Sequence, residues 1–246
     1  MPATYGVLSA QDVYLHRLVG GVSKGAFGPI NCSKLDLTQP DPDVVTRVSH
    51  MRTTRGQALD SASVPKPMEI EITFDDLAPD LIAMGLLGTP APYAQAAATN
   101  VAATVRVYHD RWVALGKNSL TAFSISGKTE GEDYEVNLSG GLLRALSTGA
   151  IADDTDVSVT YSCAARAGSD IYAGTTSVIQ LGIETRGGNL FVDGQSVDLD
   201  VWQANVSPSG ALAWISSEPM SVSLKGTLIT PVGRAGPYRY RVHAAA

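Results

Sequence analysis

The chain has 246 residues, of which 44% are hydrophobic and 17% charged, and a formal charge of −6. That length holds one large β domain or two small ones, with ample apolar material for a core. The acidic balance excludes a surface built to grip nucleic acid, no apolar run approaches the ~20 residues that span a bilayer, and the two cysteines, Cys32 and Cys163, do not make a disulfide scaffold.

MPATYGVLSAQDVYL has no basic segment followed by an apolar core, so no secretory signal is expected. QDVYLHRLV (11–19) predicts a first strand, and GGVSKGAFGP after it a flexible glycine-rich turn. A second strand covers 30–38, with Ile30, Cys32, Leu35 and Leu37 apolar in imperfect alternation. Thr38 to Pro67 is polar, has four prolines and alternates only around Val44–Val48. A structureless stretch of that length is uncommon inside a compact domain. It is a solvated loop, or an inter-subunit arm that orders against a neighbour and meets acidic side chains through Arg47, Arg52 and Arg55.

Met68 to Gly88 is the most legible part. Met68, Ile70, Ile72 and Phe74 alternate with Glu69, Glu71 and Thr73, the period of a half-buried strand. The period then lengthens: Leu77, Leu81, Met84 and Gly85, widened by Ile82 and Leu86, mark one helix face over about 76–87. Asp75 or Asp76 is the expected cap, Pro79 suits the first turn, and Gly88 is expected to close the helix in the left-handed conformation, with Pro90 preventing its resumption.

TPAPYAQAAATN reads as a loop, and Val101 to Val107 as an alternating strand. HDRWVALGKNSLTAFSIS predicts one or two strands around a Gly116-Lys117-Asn118 turn. Tyr134, Val136 and Leu138 alternate; SGGLLRALSTGAI reads as a short helical turn or wide loop; Val157, Val159, Tyr161 and Cys163 then form a clean apolar face. Further on, IYAGTTSVIQLGIETRG is a strand and Asp193-Gly194 a hairpin turn. Val197, Leu199 and Val201 share a face, but Trp202, Ala204 and Val206 take the opposite phase, which predicts a bulge. After a Pro208-Ser209-Gly210 turn, Met220, Val222, Leu224 and Leu228 make another strand face, and YRYRVHAAA alternates aromatic with basic. No repeat or linker divides the chain, so it reads as a single domain, 1–246.

The residues that could carry chemistry do not assemble into a motif. His16, His50, His109 and His243 have no metal-ligand spacing, and neither cysteine has a nearby histidine or second cysteine. There is no GxSxG elbow. Gly127-Lys128-Thr129 lacks the first glycine of a phosphate-binding loop, with Ala122 in its place. No catalytic, cofactor-binding or metal-binding residue is expected, and the chain does not read as an enzyme. The charge is unevenly spread: between 129 and 163 a single base, Arg144, stands against Glu130, Glu132, Asp133, Glu135, Asp153, Asp154 and Asp156.

From Glu69 onward the order of elements resembles the major tail tube proteins of long-tailed bacteriophages. EIEITFDDLAPDLIAMGLLG, then GEDYEVNLSGGLLRALSTGAIADDTDVSVTYSCA, then IETRGGNLFVDGQSVDLDVWQANVSPSGALAWISSEPMSVSLKGTLIT carry the resemblance, over about two-thirds of the chain. It implies a β-sandwich or barrel of tail-tube type flanked by one helix. It also implies self-assembly into stacked hexameric rings, a tube wall through which DNA passes without specific binding, and a place in the virion tail, assembled in the host cytoplasm. Tape measure, tail terminator and baseplate proteins are the implied partners, with no cofactor and no membrane. On that reading the seven acids of 129–163 are the expected lumen-facing charge, repelling phosphates. The competing expectation is a monomeric β-sandwich carbohydrate-binding module or hydrolase, with aromatics such as Trp112, Trp202 and Trp214 lining its site.

Overall fold

The computed structural model describes residues 6–243. The first five residues of the segment read for a leader, and the last three of YRYRVHAAA, lie outside the described residues. In chain order the elements are β1 (Ser9–Val19), β2 (Val22–Ile30), β3 (Cys32–Thr38), β4 (Asp43–Val48), β5 (Ala58–Val64), β6 (Glu69–Phe74) and α1 (Pro79–Gly85). There follow β7 (Thr89–Gln95), β8 (Ala98–Val107), β9 (Trp112–Ala114), β10 (Leu120–Ile125), β11 (Tyr134–Asn137), β12 (Leu142–Ala145), β13 (Thr155–Cys163) and β14 (Arg166–Tyr172). The last four are β15 (Ile179–Asn189), β16 (Ser196–Pro208), β17 (Val222–Leu228) and β18 (Tyr238–Val242). The protein is mainly β, as the alternation predicts, and α1 is the one helix among the described residues.

Two compact units emerge, where the sequence shows no dividing linker: Met1–Pro90 with Ile171–Ala246, and Ala91–Asp170. The chain crosses between them along β7 and β14, which pair with each other.

In the first unit the strands run β2-β1-β15-β16-β17-β6-β3, with β18 also on β16. The two ends of this path, β2 and β3, are joined by Asn31 alone. Ile30 pairs with Val13 and Cys32 with Phe74, so the sheet must curl until its ends approach. Inside lie Leu15, Ile70, Ile72, Phe74, Leu181, Ile183 and Leu224, all nearly inaccessible. The phase flip in β16 is a bulge: Leu181 faces Ala204 and Ile183 faces Val201, so Trp202 and Gln203 together oppose Gly182. The extra residue returns Ala204 and Val206 to the core side used by Val201. It also marks a change of partner, since Val197 to Val201 pair with β18 and Ala204 to Pro208 with β17.

α1 is shorter than 76–87. Its first residue is Pro79, the N-cap Ala78 makes no side-chain cap, and Leu81, Ala83 and Met84 are buried. Asp75 and Asp76 do not cap it. They hold the β2–β3 junction instead: Asn31 N donates to Asp76 Oδ2 at 2.6 Å and Asn31 Nδ2 to Asp75 Oδ1 at 2.7 Å. The left-handed residue after the helix is Leu87, at φ 50°, and not Gly88. Gly88 is needed for a different reason, because a Cβ there would stand 2.9 Å from the Tyr172 carbonyl oxygen.

Other segments differ from expectation. TPAPYAQAAATN is not a loop, since Thr89–Gln95 is β7 and Ala98 opens β8. IYAGTTSVIQLGIETRG is not one strand, since Tyr172 ends β14 and Ile179 opens β15. GGVSKGAFGP turns only at Gly20 and Gly21, then runs as β2 along β1. SGGLLRALSTGAI contains β12, whose Leu143 and Ala145 are fully buried. Thr38–Pro67 is not structureless, since β4 and β5 form an antiparallel hairpin within it.

The second unit has two three-stranded sheets, β10-β13-β8 and β11-β12-β9. Its separate core includes Val107, Leu143, Val159, Tyr161 and Cys163, with Phe123 edge-on to Tyr134 at 5.6 Å between centroids.

Candidate assembly surface

The hairpin β4–β5 is exposed on both faces and at both edges. Asp43 pairs with Val64, Val44 with Ser63, Val45 with Ala62, Thr46 with Ser61 and Arg47 with Asp60. Side chains alternate across a strand, so Val45, Ala62 and Val64 share one face and Val44, Ser61 and Ser63 the other. Neither face is covered: every residue of both strands is exposed, with Val44 at 63% and Val45 at 64%. The hairpin pairs with no other strand among the described residues, leaving both edges open.

Its tip is nevertheless built. Ser49 is fully buried; its Oγ shares a hydrogen bond of 2.7 Å with Thr54 Oγ1 and accepts from Met51 N, while its backbone pairs with Gly56 and Gln57. This fixes a nine-residue connection, 49–57, that carries His50, Arg52 and Arg55 and no acid. The base is tied by Lys66 Nζ to Asp43 Oδ1 at 2.7 Å and by Gln39 Nε2 to the Lys66 carbonyl at 3.0 Å. Of the three arginines in Thr38–Pro67, Arg47 meets an acid of its own hairpin, Asp60, at 2.6 Å. Arg52 and Arg55 have no carboxylate partner among the described residues.

The seven acids of 129–163 do not act as one patch. Glu135 pairs with Arg144, and Asp154 and Asp156 share Arg106 at 2.8 and 3.6 Å. Asp133 accepts backbone N–H bonds from Ala150 and Thr129, and these donors hold its carboxyl below the usual carboxylate range. Arg106 does the same for Asp154. Asp153 accepts from His109 N at 2.8 Å. Glu130 and Glu132 alone have neither cation nor N–H partner among the described residues. β11 begins only at Tyr134, so 130–133 is a turn and strand parity does not sort its acids.

Three of the four histidines hydrogen-bond within the fold: His16 Nδ1 with Ser23 Oγ, His109 Nε2 with the Ile151 carbonyl, and His243 Nε2 with Asp198. Cys163 is buried and Cys32 half-buried, both free. Burial pushes the Cys32 thiol pKa up, away from a reactive thiolate. No helix among the described residues is long and apolar enough to cross a membrane.

One cluster was not foreseen. Asp200 is 2% exposed and receives Arg239 through both Nε, at 2.9 Å, and Nη2, while Arg186 Nη1 lies 2.7 Å from its other oxygen. Both Arg234 and Arg239 also lie over the Trp202 ring. The signal was the register of complementary charge, VDLD against YRYR: Asp198 faces Arg241 and Asp200 faces Arg239.

Fold and surface thus define a mainly-β protein with a curled antiparallel sheet, one covering helix and an exposed hairpin. The chain belongs to the family described as protein of unknown function UCP028589, which matches residues 12–236. No curated protein matches it.

Proposed function

We propose that this chain is a structural protein that assembles with copies of itself into stacked hexameric rings, forming the tail tube of a long-tailed bacteriophage. The observation that carries this is the β4–β5 hairpin. A lone two-stranded hairpin is marginally stable in water, and open strand edges are templates for pairing. Thirteen strand residues, ordered with both faces and both edges exposed, gain little from their own chain to offset the entropy of ordering them. A neighbouring subunit supplies that gain. The cationic tip, Arg52 and Arg55, then meets acids of the neighbour, for which Glu130 and Glu132 are available.

The resemblance in element order from Glu69 onward supports the tube in particular. In a sixfold ring the acids of 129–163 recur as a band, and those facing the lumen keep phosphates sliding, within the ~8 Å reach of charge at 0.15 M salt. The test is sedimentation of the purified chain together with negative-stain imaging. Hexameric rings or tubes are expected; a compact monomer at every concentration, also in the presence of a tail-initiating complex, overturns the reading.

A further inference from the structure

Two turns on opposite rims of the curled sheet carry exposed apolar side chains. β1 and β15 pair along their length, Ser9 opposite Asn189 and Leu18 opposite Gln180. At one end of this pair stand Leu190 (66% exposed) and Phe191 (59%), beside Leu8. At the other end stand Val19 (58%) and Val22 (62%), opposite each other in the β1–β2 turn. More than half of each of these large apolar side chains is left exposed by its own fold.

The first rim is held rigidly. Asn189, itself buried, accepts N–H bonds from Leu8 and Phe191 on Oδ1 and donates through Nδ2 to the Gly6 carbonyl and to Gln195 Oε1. Leu190 N donates to the Leu8 carbonyl. A turn fixed by five hydrogen bonds presents its apolar side chains in one arrangement, which lowers the ordering cost of binding. The two turns differ in charge balance: Lys24 and Arg17 line a hollow beside Val19 together with one acid, Asp80, while the other turn holds an acid alone. Between Val19 and Ile30 the single charged residue is Lys24, and between Gly187 and Ser196 it is Asp193.

We propose that copies of this chain join head to tail, the Val19–Val22 rim of one seated on the Leu8–Leu190–Phe191 rim of the next, with Lys24 facing Asp193. Two different patches at opposite ends of one strand pair make a heterologous contact, and a contact that repeats along the strand direction does not close. The eleven residues of β1 span about 35 Å at ~3.3 Å per residue, which sets the scale of the axial repeat per copy. The inference rests on the tube reading only in taking this direction as that of ring stacking.

Two variants, Val22→Cys and Leu190→Cys, are purified separately, mixed and oxidised, with the wild-type chain controlling for Cys32 and Cys163. A cross-linked dimer is expected from the mixture at tenfold or greater excess over either variant alone. No excess in the mixture, or Val22→Cys joining itself as readily, overturns the contact. Independently, Phe191→Asp, at an exposed position and checked for an unchanged unfolding midpoint, is expected to raise the concentration for half-maximal stacking at least tenfold. Rings that no longer stack support both proposals. Wild-type tubes that Phe191→Asp leaves intact overturn the rim contact and leave the tube reading standing. Single-file filaments without rings support the contact and count against the tube. A chain that stays monomeric overturns both.

Discussion

Asp200 shows how much one side chain can organise. Burial alone would raise its pKa, but hydrogen bonds from Arg239 and Arg186 outweigh burial and hold it below the ordinary carboxylate value. A carboxyl whose folded pKa is depressed stabilises the fold above its unfolded pKa, about 3.9, and that contribution is lost as pH falls through the folded value. Asp200→Asn leaves two half-exposed guanidiniums facing a neutral amide and is expected to cost about 2–3 kcal/mol at pH 7, below the range for fully buried pairs. Urea unfolding at pH 7 and near pH 2 checks it, since the gap between wild type and variant should close in acid. Gly88 is a steric case. A Cβ there meets the Tyr172 carbonyl at 2.9 Å and Ile171 Cγ2 at 3.1 Å, so Gly88→Ala is expected to destabilise by about 1–3 kcal/mol in thermal unfolding. Conformational freedom was the natural expectation for a glycine after a helix. Close approach of a distant strand end is invisible in a local window.

At the scale of elements, legibility followed the strength of local alternation. β6, β13 and β17 put one clean face inward, and the β16 bulge was written in the phase flip at Val201–Trp202. β2 was missed because its glycines and small residues dilute the period-2 pattern, and β12 because four residues, LLRA, are too few to show one; pairing with a neighbouring strand decides both. The hairpin β4–β5 was missed for another reason: neither of its faces is buried, so no hydrophobic period marks it. Only Val44–Val48 hinted at β4, and the Ser/Ala run of β5 gave no signal. Deleting Asp41–Ala62 removes β4, the tip and all but the last two residues of β5 without touching the first unit's core. The deletion is expected to leave the unfolding midpoint nearly unchanged and to abolish assembly in sedimentation. Normal tubes from that chain would remove the hairpin from the mechanism. Ala91–Asp170 has its own core, and a fragment of that span is expected to unfold cooperatively alone, as near-ultraviolet circular dichroism would report.

At the scale of the whole molecule, the candidate site was legible as a region and not as chemistry. The sequence marked Thr38–Pro67 as a solvated loop or an arm and 129–163 as acidic, but local pairing with Arg106, Arg144 and backbone N–H groups absorbs five of the seven acids. The apolar rims were hidden because a strand's exposed end looks like any other turn. The most direct measurement is a cryo-electron microscopy map of the purified chain at assembling concentration. Self-assembly through the arm predicts hexameric rings in which β4 and β5 lose their exposure to a neighbouring subunit, with Arg52 or Arg55 within 4 Å of an acid of that subunit. Particles that remain monomeric, or rings whose hairpins still stand free in solvent, would contradict it.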